Sequence, residues 1–159
     1  MSADRRRKTG PAPGARRHAR ELALAALYRA DLVGLGAADT IEILAETLTL
    51  SLEDWPEQDR RAVELREEAL AYATQVVAGV FRERPRIDET IEALSIGWPL
   101  ERLAAMDRTI LRIGLWELLE ATAAPAVAIN EAVELARQYG SAESARFVNG
   151  ILGAWAKKA

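Results

Sequence analysis

Apolar residues recur along most of this chain with a period near 3.6, the spacing of one face of an α-helix. Ala19, Leu22, Ala23, Ala26, Leu27 and Ala30 form one such stripe, predicting a helix over 15–33 that Gly34 and Gly36 end. Asp39 followed by Glu42 has the form of a capping box, and Ile41, Leu44, Ala45 and Leu48 give a second helix behind it. Residues 53–59 are acidic and contain Trp55-Pro56, a break and a restart. Val63, Leu70, Ala73, Val76, Val77 and Val80 line a long third helix that Pro85 is expected to stop after Arg84. Asp88 opens a short helix through Ile91 and Leu94, and Gly97-Trp98-Pro99 breaks the pattern again. Leu103, Met106, Ile110, Ile113 and Leu118 fit a further helix or helix pair that ends before Pro125. Val127, Ile129, Val133 and Ala136 begin another, closed near Gly140, and Phe147, Val148, Ile151, Leu152 and Trp155 mark the last.

The pattern predicts an all-α fold, a compact helical bundle of about seven helices. The interruption near residue 85 divides it into two helical subdomains, 15–84 and 85–159. Residues 1–14 have no periodicity, four consecutive basic residues and two prolines, and are expected to form a disordered basic arm. Composition agrees with helices. Half of the 159 residues are hydrophobic, Ala, Leu, Glu and Arg are prominent, and only 6% are aromatic.

Composition also removes most chemistry. With no cysteine there is no disulfide, thiolate zinc site, iron–sulfur cluster or cysteine nucleophile. The single histidine, His18, cannot build a histidine-rich metal site. It sits among arginines, whose field disfavours the imidazolium a general base must become. No GxxxxGK phosphate loop is present, and carboxylate pairs on exposed helix faces read as solvating groups. The expectation is a non-enzymatic protein without metal or cofactor. No apolar run approaches the roughly 20 residues that span a bilayer, and the stretch Leu22–Leu27 is hemmed in by Arg20, Glu21, Arg29 and Asp31. Membrane insertion and export are not expected, and a cytoplasmic location is.

Charge sharpens the picture. Residues 1–20 hold seven Lys/Arg against one Asp, a net of +6, whereas the remaining 139 residues hold 14 basic and 23 acidic groups, a net of −9. A basic end on an acidic body suggests a polyanion partner. Arg16, Arg17 and Arg20 fall within an arc of about 100° on the first helix, flanking its apolar stripe, and a guanidinium fork suits phosphate and stacks on bases. The second candidate is the segment Gly140–Phe147, GSAESARF, where a helix N-terminus, Arg146 and Phe147 could offer N–H donors, a charge and a stacking surface. Phe147 fits the core stripe equally well, and Ser141 or Ser144 could simply cap.

Four segments carry a family resemblance: ARRHARELALAALY at 15–28, DRTILRIGLWEL at 107–118, PAVAINEAVELARQY at 125–139 and SARFVNGIL at 144–152. Together they resemble NusB, the bacterial transcription antitermination factor, over the first helix and nearly everything after Leu103. The resemblance implies an all-α protein of two helical subdomains that binds boxA-type single-stranded RNA in ribosomal RNA leaders. It also implies a small-subunit ribosomal protein, NusE, as partner, and assembly with other Nus factors on RNA polymerase. The RNA contacts it implies are Arg16, Arg17, Arg20, Glu143, Arg146 and Phe147, with Glu143 tuning affinity, while the partner surface would lie across the central helices. Tyr28 matches the family's helix-one tyrosine.

Several positions depart from the pattern. The arm with Arg5, Arg6, Arg7 and Lys8 is an extension, His18 stands where a basic residue is common, and Trp116 replaces a frequent tyrosine as a core change. Asn130 and Asn149 are expected to be buried hydrogen-bonding residues, and Gly150 to allow close helix packing. Two other readings stand beside the RNA adapter. One is a helical protein-interaction module without RNA affinity of its own, its acidic stretch Glu53–Glu68 meeting a basic partner. The other is the ribosomal RNA cytosine methyltransferases that carry a NusB-like domain, which need a cysteine nucleophile this sequence lacks.

Overall fold

The computed structural model describes residues 13–50 and 60–158, with side chains for 14–46 and 64–158. Among them run six α-helices and one 3-10 turn: α1 Pro13–Val33, α2 Ala37–Leu50, α3 Arg60–Leu94, the turn Leu100–Arg102, α4 Ala105–Glu120, α5 Pro125–Tyr139 and α6 Ser144–Lys158. The expected arm falls largely on residues 1–12 and the acidic break on 53–59, both outside the described residues.

The helix α4 is the axis of the fold. Ten consecutive residues, Thr109–Leu118, are buried, because α1, α3, α5 and α6 all pack around it. A helical stretch with no solvent face must pair its own charges inside the protein. Arg112 does so with Asp88 and Asp31, and Glu117 with Arg20 and Tyr72. α2 covers α1 and α3, and α5 and α6 pack on each other. One apolar core of Ala, Leu, Ile and Val with Tyr72 and Trp116 runs through both halves of the chain.

Close packing of one helix on another falls on two glycines other than the one expected. A Cβ on Gly79 would lie 1.9 Å from Trp116 Nε1, so α3 passes directly under the indole. A Cβ on Gly114 would lie 2.8 Å from Leu152 Cδ1, which lets α6 approach α4. Gly150 has open space instead, since its position on α6 faces away from the bundle. Trp116 itself is 1% exposed, a core residue as expected.

The sequence pattern misjudges α3. Pro85 does not stop it, and the separate helix at Asp88 is part of one helix of 35 residues. A mid-helix proline forfeits one backbone bond and costs about 3 kcal/mol. Here Val76, Val77 and Val80 on one side and Ile87 and Ile91 on the other are all buried in the same core, while Pro85 is exposed. Burial on both sides holds the helix through the defect, and the helix count falls from about seven to six. The second helix also begins at Ala37, two residues before the expected cap, with Thr40 Oγ1 donating to the Gly36 carbonyl. Val127, placed in the α5 stripe by its spacing, is 48% exposed.

Candidate nucleic-acid interface

The three helix-one arginines do three different things. Arg20 is a core residue, 3% exposed. Its Nε and Nη2 each donate to a different oxygen of Glu117, both at 2.8 Å, and the Tyr72 hydroxyl donates to the same carboxylate at 2.6 Å. Burial acts to lower the Arg20 pKa, but the bonds and charge of Glu117 outweigh it and hold the guanidinium above its ordinary value. Burial and the adjacent Glu117 push the Tyr72 phenol up to about 12. The expectation of Arg20 as a free RNA contact is therefore corrected: its donors face the core. The reason is visible on a helical wheel. At about 100° per residue, Arg20 falls between Leu24 and Leu27, inside the apolar stripe and not beside it.

Arg16 is half-buried. Its guanidinium carbon lies 4.6 Å from the Tyr72 ring centroid, and Nη1 donates to the Thr122 carbonyl in the α4–α5 turn. Its Nε has no hydrogen-bond partner among the described residues. Arg17 alone presents its head to solvent. Its side chain is 60% exposed and its fork meets Glu131 of α5 at 3.0 and 3.2 Å. The Glu131 bonds raise the Arg17 pKa further above its ordinary value. Together these contacts fix the first turns of α1 against α4 and α5. His18 lies exposed nearby, 3.9 Å from Glu21.

The loop before α6 is shaped by serine. Ser144 is buried, and its Oγ accepts from the Ser141 N–H at 2.9 Å, closing the turn. This turn sets three expected residues on two sides of α6. Glu143 and Phe147, four positions apart, line an open groove of about 580 Å³ with Trp98, Arg102 and Asp107. Phe147 is half-buried and packs on the core with one side. Arg146 points to the other flank, into a groove of about 590 Å³ between α5 and α6 with Arg137, Asn130 and Asn149. The single patch expected at 140–147 is thus two.

Asn130 and Asn149 are corrected as well. Both are exposed, and neither side chain makes a hydrogen bond among the described residues. Their helices turn their buried faces toward α4, which leaves both amides on the outer rim.

Sequence reasoning missed several residues at this end of the molecule. Trp98 and Ile96 are exposed at 54% and 93% in the turn after α3, where the Gly-Trp-Pro triplet was read only as a break. Asp107 places one carboxylate oxygen in a buried spot of the first groove with no hydrogen-bond partner. Tyr139, 43% exposed, lies close enough to Glu21 of α1 for that charge, after burial, to raise its phenol pKa. An aromatic just before a helix-ending glycine was the available sign for Tyr139. A second and independent cluster joins α1, α3 and α4: Asp31 accepts from Arg108 at 2.6 Å, Arg84 at 3.2 Å and Arg112 at 3.4 Å. Burial acts to raise the Asp31 pKa, but Arg108 and Arg112 outweigh it and hold the carboxyl below its ordinary range.

Comparison with known proteins agrees with this architecture. The NusB family model matches residues 17–157. A Symbiobacterium thermophilum protein named transcription antitermination protein NusB is 44% identical over 140 residues, covering 87% of this chain and 86% of that one. A protein of the same name from Acidothermus cellulolyticus is 43% identical over 141 residues, covering 88% and 86%. Among solved structures, NusB of T. maritima has a TM-score of 0.72 at 31% identity, covering 90% of this chain and 91% of its own. A complex of antitermination factors NusB and NusE with double-stranded RNA contains a chain with a TM-score of 0.74 at 26% identity, covering 93% and 100%.

Proposed function

This chain belongs to the NusB family of transcription antitermination proteins, and from that premise we propose that it binds boxA-type single-stranded RNA of nascent ribosomal transcripts together with NusE. The pair then joins other Nus factors on RNA polymerase in an antitermination complex. The role is equilibrium binding without chemistry, and the place of work is the cytoplasm, where such transcripts are made.

One observation carries the RNA assignment. The first turns of α1 are clamped by the buried Arg20–Glu117 pair and by Arg16 on Thr122, and Arg17 is left facing solvent beside Glu131 of α5. Ordering this end in advance removes part of the entropy that binding would otherwise cost. Arg17 and Arg146 are the guanidiniums we assign to phosphate, and Tyr139, exposed near Glu21 of α1, is the ring we assign to stacking on a base. Arg16 and Arg20 act by positioning.

The groove between the α3–α4 turn and α6 supports a protein partner. Its rim carries Asp107 and Glu143 against one cation, Arg102, and Trp98 with Ile96 exposes apolar surface beside it. A basic ribosomal protein fits both features, with a donor for the unpartnered Asp107 oxygen. W98A should weaken binding to NusE while leaving the melting temperature of the free protein unchanged.

The test is a fluorescence-anisotropy titration of leader RNA against a scrambled strand and against the double-stranded form, with and without NusE. The leader strand should bind best when NusE is present. The R17A/R146A variant should lower the salt slope by about 1.4, two phosphate contacts at roughly 0.7 each for single strands. Equal affinity for leader and scrambled RNA in the presence of NusE would refute the reading.

A further inference from the structure

The α5–α6 groove has a basic lining on an acidic body. Its lining holds Arg137 and Arg146 and no carboxylate, although residues 21–159 carry a net −9. Ile129, Val133 and Ala145 form an apolar floor, and Asn130 and Asn149 stand at the rim with unused amides. On α5, Asn130, Val133 and Arg137 repeat at three- and four-residue spacing, so one helix face presents all three to α6.

This groove is joined to the α1 site. Arg137 is held by Glu134, and Glu134 is also a charge neighbour of Arg17. Glu134 thus links exposed Arg17 of α1 to exposed Arg137 of α5, and Arg137 shares the groove with exposed Arg146 of α6.

We propose that the α5–α6 groove is a base-reading subsite for single-stranded RNA, in which Asn130 and Asn149 bond base edges and Arg137 and Arg146 take the flanking phosphates. It rests on the RNA-binding reading above and extends it from phosphate contact to sequence discrimination. A carboxamide offers an adjacent donor and acceptor, the arrangement that pairs with a purine edge. Unpaired bases expose such edges and lay their faces on apolar or planar groups. Two cations without a lining carboxylate favour a polyanion strand over a peptide. The contrast with the Asp107–Glu143 groove, where carboxylates outnumber cations, assigns the two grooves to two different partners.

The experiment separates reading from holding. N130A/N149A should lower the preference for leader over scrambled RNA by about tenfold or more, with the salt slope unchanged because neutral amides release no counterion. R137A should lower the slope by about 0.7 and leave the preference in place. N149D, which keeps the side-chain shape but adds a negative charge, should weaken RNA binding further. All three positions are exposed on helices, so melting temperatures should stay at the wild-type value. Affinity for NusE alone should not change in any variant. Unaltered preference and slope in these variants, with a discriminating wild type, would overturn this subsite and leave the parent reading intact. So would loss of NusE affinity without loss of RNA affinity. A wild type without preference for leader RNA would remove both.

Discussion

Replacing Arg20 by methionine takes the cation out of the Arg20–Glu117–Tyr72 cluster and keeps an unbranched side chain in its place. Glu117, 1% exposed, then retains only the Tyr72 hydroxyl as donor. A buried charge stripped of its partner costs about 3–5 kcal/mol. In a chain of this size each kcal/mol moves Tm by about 2–4 °C, so R20M should melt on the order of 10 °C lower. E117L should cost somewhat less, since Glu131 at 4.0 Å remains to the guanidinium as a weaker partner. The double variant R20M/E117L removes both charges and leaves Tyr72 within 3.1 Å of the Thr122 hydroxyl as an alternative partner. It should recover most of the loss, because an apolar replacement for a buried pair is often neutral. Urea unfolding at constant m reads the three differences. RNA binding supplies an independent check: with the protein held folded, R20M should keep the wild-type salt slope. Single-variant losses below about 1 kcal/mol, or a double variant equal to the sum of the singles, would refute the core-clamp account, since a true clamp strands a charge. A slope reduced by about 0.7 would return Arg20 to the RNA surface.

Gly79→Ala sets a Cβ 1.9 Å from a buried indole and should destabilise by about 1–3 kcal/mol or more, whereas Gly150→Ala enters open space and should stabilise by about 0.5–1 kcal/mol through helix propensity; calorimetry of the pair reads both signs. The lowered pKa of Asp31 makes its contribution complete above the ordinary carboxylate value of 3.8 and lost as pH falls through the folded one. The unfolding free energy of wild type should therefore drop more steeply below about pH 4 than that of Asp31→Asn. Tyr72 shows the opposite case. Its proton is held more tightly in the folded state, so its contribution is complete below pH 10 and fades as pH rises toward about 12. Ultraviolet titration should find a phenol ionising near pH 12 that Tyr72→Phe removes, and Tyr72→Phe should flatten the alkaline loss of stability.

What the sequence by itself determined is local. Helix positions follow from a period that neighbouring residues establish, so the ends at Gly34, Gly97 and Gly140 and the stripes of α1 and α6 were legible without a fold. The charge contrast between the first 20 residues and the rest was equally plain, because it needs only counting. Even the burial of Arg20 was within reach: adding Leu24 to the α1 stripe would have set Arg20 inside it, between Leu24 and Leu27. Only the tertiary structure decided the pairings. Arg20 meets Glu117 across 97 positions, Arg17 meets Glu131 across 114, and Asp31 meets Arg112 across 81. No local pattern encodes which distant carboxylate an arginine will find. The same holds for Pro85, where burial on both sides of the proline outweighs a local helix-breaking preference of about 3 kcal/mol. It holds again for α6, whose contact with α4 at Gly114 fixes its rotation, sending Phe147 to one groove and Arg146 to the other.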